Sequence, residues 1–266
     1  MAGVQIKPAV SRRRVRVLTQ WGIPAGLLFV YLLLFGFQTG DWLLTRYEYR
    51  DFPNAMKTPV PLGDLSISTV PRTRVSYFGY ELELPWDDVD ETNSKTLGKI
   101  RVTAFRSGNA LWFSCLPPRN FVSEVIKDGH LDPTAFRESY GDAAYRSDYD
   151  FYRMILAVTP KKITPFESKE QAARNSWLLL VKTIAMPNAD TGLYSIQTEN
   201  FRGFQFGDPK GKPFKITDEL YNDAGGIDII FLQNQKVQGP AISQAEINRV
   251  LQSLHKVADP ATDASR

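Results

Sequence analysis

Apolar and polar positions follow two regimes along this chain. From Trp21 to Phe37 the sequence WGIPAGLLFVYLLLFGF carries no charge and no strongly polar side chain, so it has no polar face in any conformation. From residue 65 onward the apolar positions recur with period two or near 3.6, the signatures of half-buried strands and amphipathic helices. Strands are expected at Leu65–Val70 and at Val75–Leu84, where Tyr80, Leu82 and Leu84 alternate with Glu81 and Glu83. Lys99–Arg106 and Ala110–Cys115, joined by Ser107-Gly108-Asn109, predict a hairpin, because a three-residue loop with glycine suits antiparallel strands.

The pattern then changes to helical. Asn120–Asp128 places Phe121, Val122, Val125 and Ile126 on one side, with Gly129 as its stop. Asp132-Pro133 opens a second helix as cap and first residue, and Ser147–Asp150 opens a third running to Val158. Ser168-Lys169-Glu170-Gln171 has the form of a capping box, followed by Trp177, Leu180, Val181 and Ile184 at helical spacing and ended by Pro187. Strands return at Gly192–Glu199, Phe201–Phe206, Pro213–Thr217 and Gly226–Gln233, and Ser243 caps a last helix with Ile247, Val250, Leu251 and Leu254 inside. Strands, then helices, then strands and a helix predict an α+β fold: an antiparallel sheet with packed helices and a helical insert.

The uniform run Trp21–Phe37, extended to residues 18–40, is long enough for one transmembrane helix, at about 1.5 Å per residue against a core of about 30 Å. Trp21 and Trp42 stand where interfacial aromatics are expected. Lys7, Arg12, Arg13, Arg14 and Arg16 precede it and no acid occurs in residues 1–40, which predicts a cytoplasmic N-terminus and an exported C-terminal domain. A cleaved signal peptide and a buried soluble helix are the competing readings, but Phe35–Asp41 offers no small-x-small cleavage pattern. Ser11–Val15 has a weak likeness to a twin-arginine export signal. The expected organisation is a basic tail (1–16), a signal anchor (18–40), a proline-bearing juxtamembrane stalk (41–64), an extracytoplasmic α+β domain (65–257) and a terminal tail (258–266).

Composition changes this picture in one respect. The formal net charge is +3, but without the five basic residues of the tail 27 Lys and Arg face 29 Asp and Glu, a net charge of −2. The domain therefore lacks the basic footprint of a nucleic-acid binder. Its 43% hydrophobic and 12% aromatic content is that of a globular core rather than a disordered chain. Cys115 is the single cysteine, flanked by apolar residues, so no internal disulfide forms and a small buried side chain is expected.

Candidate chemistry is sparse. The two histidines, His130 and His255, are not spaced as metal ligands, and no nucleophile elbow, zinc-helix, P-loop or dinucleotide motif is present; neither metal nor cofactor is expected. His130 with Asp132 beside Ser114 or Cys115 is a remote triad reading, since Asp132 already serves as a helix cap. Asp87, Asp88, Asp90 and Glu91 could form a cation loop, although the sixth position from Asp88 is Asn93 rather than glycine, which favours a solvated loop. Tyr140, Tyr145, Arg146, Tyr149 and Tyr152 crowd one stretch and are the candidate partner or ligand surface, because tyrosine and arginine are enriched where partners dock.

In its order of elements, at Phe78–Trp86, Lys99–Cys115 and Ile227–Leu254, the chain loosely resembles the PsbP-like α/β sandwich; the helical stretch 119–186 departs from it. That resemblance covers topology alone and implies an accessory or binding module without catalysis. The sequence as a whole has the plan of a single-pass bacterial envelope protein. Its expected partners are the bilayer, through residues 18–40, and a protein or small ligand. The alternative is an envelope hydrolase using paired carboxylates, and a pocket holding perturbed titratable groups, at Asp87–Glu91 or His130, would favour it.

Overall fold

The computed structural model describes residues 43–50, 52–116, 120–164, 167–186, 192–209, 215–223, 225–234 and 242–257. The apolar run Trp21–Phe37, its flanking Trp21 and Trp42, and Arg12, Arg13, Arg14 and Arg16 lie outside them. Among the described residues no helix is long and apolar enough to cross a membrane.

Eight strands form one sheet: β1 (Val60–Pro61), β4 (Val89–Leu97), β5 (Ile100–Phe105), β6 (Ala110–Leu116), β7 (Leu193–Gln197), β8 (Arg202–Phe206), β9 (Lys215–Asn222) and β10 (Gly225–Leu232). Their spatial order is β1-β7-β8-β9-β10-β6-β5-β4, and every pairing is antiparallel except β1 with β7. A small antiparallel sheet joins β2 (Arg74–Tyr77), β3 (Tyr80–Glu83) and β11 (His255–Lys256).

The expected single strand Val75–Leu84 is thus a hairpin. Phe78 and Gly79 both have positive φ, at 55° and 81°, which reverses the chain in two residues. Alternation survives across the turn, with Tyr80, Leu82 and Leu84 all buried. Leu65–Val70 forms no strand. It runs along α6 (Gln244–Ser253), where Ser68 N donates to the Ala245 carbonyl at 2.9 Å and Asn248 Nδ2 donates to the Asp64 and Ser66 carbonyls.

One face of the large sheet, through Leu111, Phe113, Ile216, Leu220, Ile227, Ile229 and Phe231, packs against α6 and the small sheet. Arg249 on α6 pairs with Glu83 of β3 and holds its carboxyl below the usual range. The helical capping box sits here, between Ser243 and Glu246.

The opposite face, through Leu193, Phe204 and Phe206, receives a layer of helices: α1 (Pro53–Met56), α2 (Phe121–Asp128), α3 (Pro133–Tyr140), α4 (Asp148–Ala157) and α5 (Lys169–Ala185), with residues 43–49 also helical. Gly129 ends α2, but the left-handed residue is His130, with φ of 50°. Gly129 is required for a different reason. A Cβ there would lie 2.4 Å from Trp177 Nε1, whose N–H donates to the Val125 carbonyl at 3.0 Å.

At the start of α5 Ser168 caps Gln171 N, while the Gln171 side chain goes to Tyr140 and Asn175 instead of closing a box. The buried side of α5 is Ala172, Asn175, Leu178, Leu179 and Lys182. Leu180 and Ile184, expected inside from their spacing, are exposed. The reason is Lys182, whose ammonium donates to the carbonyls of Lys57, Val158 and Ala55 at 2.6, 2.7 and 3.3 Å. That cluster ties α5 to residues 55–57 and leaves Leu180 and Ile184 outside, while Trp177 and Val181 of the same expected stripe pack against the helical core.

Candidate functional site

Strand β9 carries the groups that residue pattern alone left unassigned. Expected as Pro213–Thr217, it runs on through Asp218, Glu219 and Tyr221 to Asn222. Gly203 on β8 permits this, because a Cβ there would come within 2.1 Å of the Glu219 carbonyl oxygen. Side chains alternate along β9. Ile216, Asp218 and Leu220 turn toward α6, and Thr217, Glu219 and Tyr221 turn toward the helical layer.

Glu219 is directly opposite Asp228 of β10 and Phe204 of β8. Opposed Cβ atoms in an antiparallel pair lie about 5 Å apart, so the two carboxyls cannot both ionise cheaply. Burial raises the Glu219 carboxyl to about 8, and the Asp228 charge adds to the rise. Hydrogen bonds with Tyr152 and Tyr221 and the charge of Lys215 oppose it. The Tyr221 hydroxyl donates to Glu219 Oε2 at 3.4 Å, and Tyr152 donates to the Ala185 carbonyl at 3.1 Å. Both phenols are pushed upward, chiefly by burial. Asp218, on the opposite face, is fully buried with neither carboxyl oxygen hydrogen-bonded, and burial alone raises its carboxyl well above the usual range.

Two cavities share a wall with Tyr221, the hydroxyl of which reaches Glu219; neither Glu219 nor Asp228 itself lines them. One, of about 420 Å³, lies between the N-termini of α2 and α4 and the β9–β10 turn. The other, of about 260 Å³, lies between the start of α4, that same turn and the β7–β8 turn. They share Ser147, Tyr149, Tyr221, Asn222 and Asp223 and so form one cleft. Ser147 caps α4, and Asp148 Oδ1 accepts from Phe121 N, so two helix starts meet at its wall. Tyr149 is stacked on Phe204 with ring centroids 5.2 Å apart, and Arg202 lies over it at 4.6 Å.

The residues singled out from sequence fall as follows. Tyr145, Arg146 and Tyr149 line the larger cavity. Tyr152 lies beneath, against Phe204, Phe206 and Tyr221. Tyr140 is elsewhere in the helical layer, bonded to Asn175 Oδ1 at 2.5 Å and pushed up to about 12 by burial.

The acidic cluster disperses. Asp87 pairs with Arg72, Asp88 accepts from Ser107 N, Glu91 reaches Arg101, and Asp90 accepts from Thr92 N and Asn93 N at a bulge in β4. His130 stands at the end of α2, and Asp132 Oδ1 accepts from Thr134 N as the α3 cap. Cys115 is half-buried against the core, and burial pushes its thiol upward. Among the described residues no group of three His, Cys, Asp or Glu side chains is placed to hold a metal ion.

No family model, no curated protein and no solved structure matches the chain.

Proposed function

We propose that this chain is a membrane-anchored, extracytoplasmic binding or accessory module, and that the cleft at the start of α4 receives its ligand. The basic tail 1–16 would stay in the cytoplasm and residues 18–40 would span the bilayer. The PsbP-like likeness implies an accessory role of the same kind. The observation that carries the reading is the pair of adjoining cavities, walled in common by Ser147, Tyr149, Tyr221, Asn222 and Asp223. Its volume suits a small polar molecule or a few side chains of a protein partner. Arg146 and Asp223 give it groups of both signs, while Tyr149 offers a rigid, well-packed wall.

Purification of the full chain from membranes in mild detergent, with identification of what accompanies it, tests this. Arg146→Glu and Asn222→Ala are expected to abolish the association without loss of folding. An unchanged association in both variants would place the binding surface elsewhere.

A carboxylate-dependent hydrolase is the second reading, and one observation favours it. Glu219 is held to about 8 beside Asp228, a pairing suited to proton transfer near neutral pH. In that case Glu219→Gln abolishes turnover while leaving binding in the cleft intact.

A further inference from the structure

Of the four apolar positions that the periodicity of α5 would bury, Trp177 and Val181 pack against the helical core and Leu180 and Ile184 do not. Leu180 is 39% exposed and Ile184, one turn further, is 76% exposed. The helical residues 43–49 pack beside α5, with Thr45 Oγ1 3.1 Å from Ser176 Oγ and the Tyr49 hydroxyl reaching the Ser176 carbonyl. Thr45 and Tyr49 face α5, whereas Leu43, Leu44 and Tyr47 face away and are 54%, 56% and 61% exposed. Met56 of α1, on the stalk segment that Lys182 holds, adds a further exposed apolar side chain.

What covers these residues follows from where the chain comes from. The uncharged run ends at Phe37, six residues before Leu43. Six residues span at most about 20 Å when fully extended, and about 9 Å when helical. Ser176 is therefore within that reach of the end of the run, apart from the short distance between Leu43 and Thr45. Ile184 is two turns along α5 from Ser176, about 12 Å away. Isolated exposed leucines need no explanation, but apolar side chains gathered where an anchor leaves the domain do.

We propose that the outer side of α5, with Leu180 and Ile184, and the outer side of residues 43–49, with Leu43, Leu44 and Tyr47, rest together in the headgroup region of the bilayer. The surface would act as a second, interfacial contact that fixes the domain's orientation. It rests on the reading of residues 18–40 as a membrane span. An aliphatic stripe with tyrosine beside it suits that boundary, where apolar side chains enter the upper acyl region and tyrosine stays at headgroup level.

The test uses the full chain with Cys115→Ser and Ile184→Cys, spin-labelled and reconstituted in nanodiscs of phosphatidylcholine and phosphatidylglycerol. A second chain carries Cys115→Ser and the label at Thr92→Cys on β4, the opposite edge of the large sheet from β1. Ile184 is exposed, so the label there does not disturb packing. Oxygen collision relative to collision with a water-soluble nickel chelate is expected to be several-fold higher at residue 184 than at residue 92. Equal ratios at the two positions, in a chain that still needs detergent for extraction, would overturn the interfacial surface and leave the anchor standing. Spin–spin broadening at residue 184 without raised oxygen access would overturn it in favour of a second copy of this chain. Extraction by alkaline carbonate alone would overturn the membrane span itself, and the interfacial surface with it.

Discussion

Replacing Glu219 by glutamine should change how stability depends on pH. In the folded protein this carboxyl is raised from 4.5 to about 8, whereas in the unfolded chain it titrates normally. Between those two values the native state holds a proton that the unfolded state has released. Stability therefore falls as pH rises through that window, and it is highest below about 4.5 as far as this group is concerned. At about 1.4 kcal/mol for each pH unit of displacement, the full loss approaches 5 kcal/mol, a large share of the 5–15 kcal/mol typical of a domain. Glutamine stays neutral at every pH and can still accept from the Tyr221 hydroxyl. Urea unfolding of the full chain in mild detergent, from pH 5 to 8.5, should show a downward slope in the parent and a markedly flatter one in Glu219→Gln. The variant should be the more stable of the two at pH 8. Asp218 contributes a slope of the same sign, so Asp218→Asn run alongside should flatten the profile independently. Identical slopes in parent and Glu219→Gln would refute the assignment of a raised carboxyl to this position.

Lys182→Met should cost about 2–4 kcal/mol at pH 7, measured by the same unfolding, because two buried carbonyls and one part-buried carbonyl lose their donor. Burial pushes the Lys182 ammonium down to about 7, with the charge of Lys162 adding to it, although its three carbonyl acceptors suit the charged form. The unfolded lysine keeps its proton up to 10.5, so Lys182 makes stability rise with pH between those values, and the methionine variant should lose that rise. Gly129→Ala should lower the thermal midpoint by an amount matching about 1–3 kcal/mol, since its Cβ would meet the Trp177 indole at 2.4 Å; an unchanged midpoint would mean the indole moves freely. Cys115→Ser should shift stability by no more than about 1 kcal/mol and leave any co-purifying partner in place. Loss of the partner with folding retained would restore a role for the thiol.

The strands were legible wherever alternation was uninterrupted. Tyr80, Leu82 and Leu84 face the core as their spacing requires, and so do the alternate positions Leu111 and Phe113 of β6 and Ile227, Ile229 and Phe231 of β10. Helix starts at Asp132, Ser147 and Ser243 were equally local, because a cap needs only the residues that follow it. The uncharged run and the basic tail before it are also properties of the sequence alone. Strand β9 was hidden by Asp218 and Glu219, whose charge in water argues against a central strand. Only the sheet closing on both sides of them supplies the burial that keeps the carboxyls neutral, with Phe204 and Asp228 as neighbours more than eight residues away in sequence. The face that α5 buries was decided in the same way. Spacing favoured Trp177, Leu180, Val181 and Ile184; Trp177 and Val181 do pack inward, but the carbonyls of Ala55, Lys57 and Val158 converge on Lys182 and bring its side of the helix inside, leaving Leu180 and Ile184 out. Tyr145, Arg146 and Tyr149 were recognisable as a cluster in one stretch, whereas the cleft they enter exists because the β9–β10 turn arrives from a distant part of the chain. Periodicity and capping depend on near neighbours in sequence and could be read from it. The protonation of Glu219 and the outward face of α5 depend on what distant strands and carbonyls place around them, and folding alone determines that.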